Sequence, residues 1–308
     1  MDLRKNQHYV PKFYLKEWCI PNTNQVYVYD KTKEEVRISS IEKIASENYF
    51  YDFNLANFFP EETIRTFNTS GLAIKGKLQL IEKMFSDRLE GPFSSFFSDI
   101  INKARNSTPW IRRECFFVTS EMKEAISVYL AFQFFRTKAI RTHITSSANH
   151  IADFCKELGV PDNLIEEITL TKSAANRIHN RMLLDQENIL KSAYLFNRLI
   201  WVLGINRTEV NFYTSDNPIG LRGHEKKTTP FIQGTGLASA GVEIFYPLAP
   251  DLILVMVDGN YHKHLVKDER RYIEFDHIPT IEYYNSLAAM NSERFIISCN
   301  DDFALLNN

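Results

Sequence analysis

The chain has 308 residues, with 44% hydrophobic and 24% charged side chains and a formal net charge of -2. This is ordinary globular composition, and the charge balance argues against a protein that coats nucleic acid by bulk electrostatics. Cys19, Cys115, Cys155 and Cys299 are too scattered for a CxxC or Cys/His spacing, so reduced thiols are expected, not a disulfide frame or a zinc site.

In chain order, the first block reads as short strands and turns. The N-terminal MDLRKNQH has no apolar h-region, so no secretory signal is expected. "NQHYVPKFYLKEW" follows, with His8 ahead of a dense set of aromatics. Pro11 restricts Val10 to an extended shape and can open a short helix. VYVYD and EVRIS alternate across a Lys/Thr/Lys turn, the pattern of a hairpin. SENYFYD reads as a further extended segment.

The middle block reads as helical. Apolar residues recur at spacings of three and four from Glu61 to about Ser86, and PFSSFFSDIINKA begins with Pro92 near its first turn. "TSEMKEAISVYLAFQFFRTKAIRTHI" is the clearest helix, capped by Thr119 or Ser120, with Glu121 and Glu124 near its positive end. A long helix is expected from about Ser173 to Leu203, with Ile178, Met182, Ile189, Ala193, Phe196 and Ile200 on one stripe.

The last block returns to strands: VNFYTSD, VEIFYPL and DLILVMVD, then a helix over IPTIEYYNSLAAMNS and a closing strand RFIIS. The stretch from Gly220 to Gly241 is glycine-rich and long for a structureless connection. The whole reads as one α+β domain over residues 1–308. It divides into a strand and hairpin part (1–58), a helical part (59–205) and a strand-rich part (206–308). The helical middle is expected to pack against a mixed or antiparallel sheet built from N-terminal and C-terminal strands. No stretch approaches the roughly 18 apolar residues of a membrane span, so no membrane partner is expected. The pattern suggests a cytoplasmic protein of bacterial type.

Three constellations carry candidate chemistry. His8 precedes a helix start and could act as acid, base or phosphate donor, or it could be a satisfied neighbour of the aromatics. In the central helix, Gln133 lies on the stripe of Tyr129, Leu130 and Thr137, and Arg136 lies on the adjacent one. Burying an amide or guanidinium without partners is costly. Each therefore needs a partner, either a carboxylate or a ligand phosphate that an arginine fork can grip. Arg141 lies further along the same helix. In "FYTSDNP" a β-rich run ends in Ser215, Asp216 and Asn217, where a strand aims side chains into a turn. The same residues would equally make an Asx turn, and Arg136 with Asp216 could form one buried pair.

Weaker signals are set aside. His262 and His264 would share a face if YHKHL were a strand, but no third ligand accompanies them. "PDLILVMVDGNYHK" lacks the E-x-K pair of a restriction-type nuclease core, and no P-loop, dinucleotide, nucleophile-elbow or HExxH motif occurs. No metal site is assigned and no cofactor is expected.

Taken together, the motifs resemble the bacterial domain-of-unknown-function 4238 family. His8-Tyr9-Val10-Pro11 with Phe13-Tyr14-Leu15 is similar to its HxVPxFYLxxF opening. Gln133, Arg136, Thr137 and Arg141 match its Q-x-x-R-T-x-x-x-R helix, and FYTSDNPI resembles its T-S-D-N-P-V turn. IFYPLAPDLILVM and Asn285 followed by ERFIIS match its later segments. Trp18 and Ala249 stand where the family often has Phe and Ser. The resemblance implies a bacterial intracellular protein and singles out His8, Gln133, Arg136, Ser215, Asp216 and Asn217. It implies no activity.

Two functional expectations follow. One is a hydrolase or nuclease-like effector acting on RNA or another phosphate-bearing substrate. In it His8 is the acid or base, Arg136 the phosphate clamp, and Asp216 the orienter of His8 or a metal ligand, with Gln133, Arg141, Ser215 and Asn217 binding substrate. The other is a non-catalytic binding or interaction module of a defence or toxin system, its polar set a network that specifies the fold. The partner expected for the first is a nucleic acid or nucleotide.

Overall fold

The computed structural model describes residues 4–52, 60–69, 79–224 and 235–306. Its strands form three sheets, and most of its helices lie between the strand blocks along the chain. The smallest pairs β1 (Asn6–His8) antiparallel with β4 (Ser46–Asn48), His8 opposite Ser46. Pro11, extended at φ -61° and ψ 142°, leads into α1 (Lys12–Lys16), which buries Tyr14 and Leu15. Trp18 just beyond is fully buried. At so closed a site, loss of an aromatic side chain typically costs about 3–5 kcal/mol.

The second sheet joins the two ends of the chain in the order β3-β2-β11-β6, from the hairpin strands β2 (Gln25–Asp30) and β3 (Glu35–Ser40) with β11 (Phe295–Ser298) and β6 (Thr214–Ser215). The third has the order β10-β5-β9-β8-β7. Its strands are β5 (Ile200–Asn206), β7 (Gly220–Gly223), β8 (Val242–Ala249), β9 (Leu252–Val257) and β10 (Arg271–Phe275). Only its β5–β10 pair is parallel. β8 and β9 are buried along their whole length, as near-continuous apolar strands are when both faces are covered. Gly220 stands opposite Phe245, whose ring lies where a methyl group on Gly220 would be. That close approach holds β7 in register.

Between the strand blocks run α2 (Glu61–Thr69), α3 (Leu80–Met84), a π-helical turn (Phe85–Glu90) and α4 (Gly91–Asn106). Then come α5 (Pro109–Glu114), α6 (Ser120–Phe135), α7 (Lys138–Glu157), α8 (Asp162–Ile168), α9 (Lys172–Leu184) and α10 (Gln186–Asn197). The helix α11 (Ile278–Asn291) lies over β6 and β7. α6 is apolar around most of its circumference and packs along α10, as a helix buried on all sides must. Thr119 caps it, its hydroxyl accepting from the Met122 amide at 3.2 Å.

Two long helices of the sequence reading are interrupted. The central one stops at Arg136, because Thr137 is extended (ψ 157°) and fully buried, its hydroxyl donating to Asn217 Oδ1 at 3.1 Å. The later one breaks at Asp185, which caps α10 by accepting from the Asn188 amide at 3.1 Å. It ends at Asn197, so Ile200 to Leu203 is strand. YHKHL is a turn leading into a 3-10 helix (Lys263–Asp268), not a strand. Of the glycine-rich stretch, residues 225–234 lie outside the described residues. Among the described residues no helix is long and apolar enough to cross a membrane.

Candidate functional site

The candidate residues fall into two groups, one around the first strand and one at the turn after β6. His8 is 8% exposed, and its Nε2 lies 3.0 Å from Ile41 O. A carbonyl only accepts, so Nε2 carries the hydrogen. Burial holds the pKa of this imidazole below the ordinary histidine value, against the Ile41 bond that raises it. The neighbouring Gln7 is fully buried and ties the strand to the next segment. Its Nε2 donates to Asp52 Oδ1 at 2.5 Å and its Oε1 accepts from the Tyr51 amide at 2.6 Å.

Arg136 ends α6 with its guanidinium 2% exposed. Nη2 donates to the backbone carbonyl of His8 at 2.6 Å and to Glu90 Oε1 at 3.0 Å. Nε donates to the Tyr51 hydroxyl at 3.3 Å, which itself donates to the Arg136 carbonyl at 3.0 Å. The Phe85 ring lies 4.2 Å from the guanidinium carbon. A buried guanidinium needs such a set of acceptors and a counter-charge. Glu90 provides that charge from the end of the π-helical turn, a partner that no local motif announces. Gln133, one helical turn earlier, donates from Nε2 to the Tyr9 carbonyl at 3.2 Å. Its Oε1 has no hydrogen-bond partner among the described residues.

Arg141 reaches a neighbouring layer. Its Nη2 donates to Phe50 O at 2.8 Å and to His179 Nδ1 at 3.1 Å, with its guanidinium carbon 3.7 Å from the Phe50 ring centre. His179 Nε2 donates to Phe135 O at 2.7 Å. One ring nitrogen accepts and the other donates, so the imidazole is neutral. Burial, then the nearby Arg141 charge, lowers its pKa to about 3. Burial likewise brings Arg141 down to about 10.

At the second group, Asp216 is fully buried. Its Oδ1 accepts from the Glu293 amide at 2.9 Å, and its Oδ2 accepts from the Arg294 and Phe295 amides at 2.9 and 3.1 Å. It thereby caps the turn between α11 and β11. Burial pushes the carboxyl up to about 6, while the three amides pull the other way. Ser215 Oγ accepts from the Asn217 amide at 3.1 Å, and Asn217 Nδ2 donates to Asn291 O at 2.9 Å.

The structure thus gathers Arg136 and Gln133 on the backbone of His8 and Tyr9, and Ser215, Asp216 and Asn217 on the α11–β11 turn. Thr137 bridges the two through Asn217. Among the described residues no hydrogen bond joins the His8 ring, the Arg136 guanidinium and the Asp216 carboxylate to one another. Arg136 pairs with Glu90, and Asp216 with backbone amides. Arg294, beside the Asp216 cap, forms a two-pronged bond with buried Asp30 at 2.9 and 2.7 Å, and Asn285 holds the chain before β6 through Tyr213 N and Asn211 O. Among the described residues no cluster of three or more His, Cys, Asp and Glu could hold a metal.

A helical middle and mixed sheets around one large apolar core, with a few buried polar side chains tied mainly to backbone groups, define an α+β protein. A family model described as "Protein of unknown function (DUF4238)" matches residues 6–302, and the chain belongs to that family. No curated protein and no solved structure matches it.

Proposed function

We propose that the chain is a non-catalytic binding or interaction module whose His8, Gln133, Arg136 and Asp216 set is a frame that fixes the fold. The observation that carries this reading is the Asp216 carboxylate. Three backbone amides of residues 293–295 occupy it, which is the arrangement of a turn cap. The His8 ring turned to Ile41 and the guanidinium enclosed by His8 O, Glu90 and Phe85 support the same reading. A nuclease-type site needs these groups to act together on one substrate.

Stability and turnover separate the two readings. Arg136→Ala should lower the unfolding free energy by about 3–5 kcal/mol, the cost of breaking a buried pair. His8→Ala should cost about 1–2 kcal/mol for the lost buried bond. An RNA-cleavage assay on the parent should show no turnover that His8→Ala removes. Cleavage by the parent that vanishes in His8→Ala, at an unchanged melting temperature, overturns the proposal.

A further inference from the structure

The end of β7 carries polar groups that the interior does not use. Arg222 stands in register with Glu243 of β8, so both side chains leave the same face of the sheet. His224, two residues beyond Arg222, leaves that face too. Its Nε2 lies 2.6 Å from Glu243 Oε2. An ionised carboxylate only accepts, so Nε2 carries the hydrogen and Nδ1 is turned away from Glu243. From α11, Tyr283 donates to Oε2 at 2.9 Å and Tyr284 to Oε1 at 2.8 Å. Three donors therefore fill a carboxylate on a residue only 6% exposed. The His224 ring is further fixed by stacking on Tyr261 (5.9 Å, 25°) and by the edge of His262 (5.1 Å, 81°).

What remains are polar groups that the described residues leave unused. Arg222 is exposed and, like His224 Nδ1, has no hydrogen-bond or ion-pair partner among the described residues. His262 Nε2, in the same ring cluster, is buried without a partner among them. A positioned imidazole whose second nitrogen is unused among the described residues, beside a guanidinium on the same face without a partner among them, is a built arrangement and not a solvated charge run.

We infer that this corner of the sheet binds a small phosphate-bearing ligand, with the Arg222 fork and His224 Nδ1–H as its donors and Glu243 as the positioning residue of the imidazole. The planar guanidinium matches two phosphate oxygens at once. Protonated histidine donates from both ring nitrogens, one to Glu243 and one to the ligand. With that proton in place the His224–Glu243 pair is neutral, and Arg222 gives the site its positive charge.

The other groups around the ring fit this. Asp258 has its two oxygens on the Gly241 and Asn260 amides. His262 is held below the ordinary histidine pKa by burial, then by His224, with His264 adding to the effect against Glu243 and Asp258. The tyrosines Tyr261, Tyr283 and Tyr284 bring no charge at neutral pH.

The assignment rests on the binding-module reading and names its ligand class. The test is an NMR titration of the full chain, following the His224 ring C–H signal, identified by its loss in His224→Gln. Inorganic phosphate, adenosine monophosphate and acetate are the three probes. Phosphate or the mononucleotide should give a saturable shift of that signal. Arg222→Gln should weaken binding about tenfold, as expected for loss of a charge-assisted contact, with its melting temperature unchanged. Tighter binding of the mononucleotide than of phosphate would mark a nucleotide as the ligand. The inference is overturned if neither phosphate probe saturates, if acetate binds as well as phosphate, or if Arg222→Gln binds as the parent does. None of these outcomes bears on the Arg136 and His8 experiments, so the two proposals fail separately.

Discussion

Arg136 and Arg222 are both arginines set beside a glutamate, Glu90 in the interior and Glu243 at the sheet corner. At Arg136, the Glu90 contact is one of several that enclose the guanidinium, and the pair is joined to the backbone of His8 and the hydroxyl of Tyr51. At Arg222, the neighbouring Glu243 is already filled by His224, Tyr283 and Tyr284, and the exposed guanidinium has no hydrogen-bond or ion-pair partner among the described residues. The same two side-chain types serve different ends because burial differs. A buried charge must be satisfied within the chain, whereas an exposed one is free to bind something else. The interior is not fully satisfied, since Gln133 Oε1 and Arg141 Nε have no hydrogen-bond partner among the described residues.

The sharpest way to break the contrast is to remove the buried charge. Arg136→Lys should recover little of what Arg136→Ala loses, because an ammonium cannot hold a carbonyl, a carboxylate and a hydroxyl with one planar fork. Recovery of the parent's urea midpoint by Lys would show that charge alone matters there. Next in size is Asp216→Ala, which leaves three backbone amides without their acceptor and should cost about 2–4 kcal/mol. Asp216→Asn keeps one acceptor and should cost less, as equilibrium unfolding would show.

A smaller effect is read through pH. His179 has its folded pKa depressed to about 3, so between there and the unfolded value near 6.5 the unfolded chain binds the extra proton. Its contribution is full above that range and is lost as pH falls through it. Asp216 is the opposite case. Its folded pKa is raised to about 6, so its contribution falls as pH rises from about 4 to 6. The stability advantage of the parent over His179→Gln should therefore grow between about pH 4 and 6.5, and that over Asp216→Asn should shrink. A pH-independent difference in either series would remove the group from this account. The smallest effect expected is at the corner, where Arg222→Gln should change stability by no more than about 0.5 kcal/mol.

Much of this arrangement can be read from residues that act locally. Thr119, the alternating hairpin and the apolar runs of β8 and β9 act through neighbours in sequence, and their elements follow from spacing. The two helix breaks do not, because their causes lie elsewhere. Thr137 ends α6 by donating to Asn217, eighty residues away, and the apolar stripe simply continues past Asp185 and into Ile200. The polar residues of the interior were visible as types that cannot be buried alone. Their partners were not visible, since Glu90 closes a π-helical turn and the acceptors for Arg136 and the donors for Asp216 are largely backbone groups that carry no side-chain signature. His224, Glu243 and Tyr283 are joined only by the register of β7 on β8 and by the placement of α11, so no motif spacing connects them.

The central claim is that the buried set supports the fold while the corner does not. Urea unfolding of the parent, Arg136→Ala and Arg222→Gln at neutral pH tests it most directly. Arg136→Ala should lose about 3–5 kcal/mol, and Arg222→Gln should keep a midpoint indistinguishable from the parent. An Arg136→Ala protein as stable as the parent would contradict it.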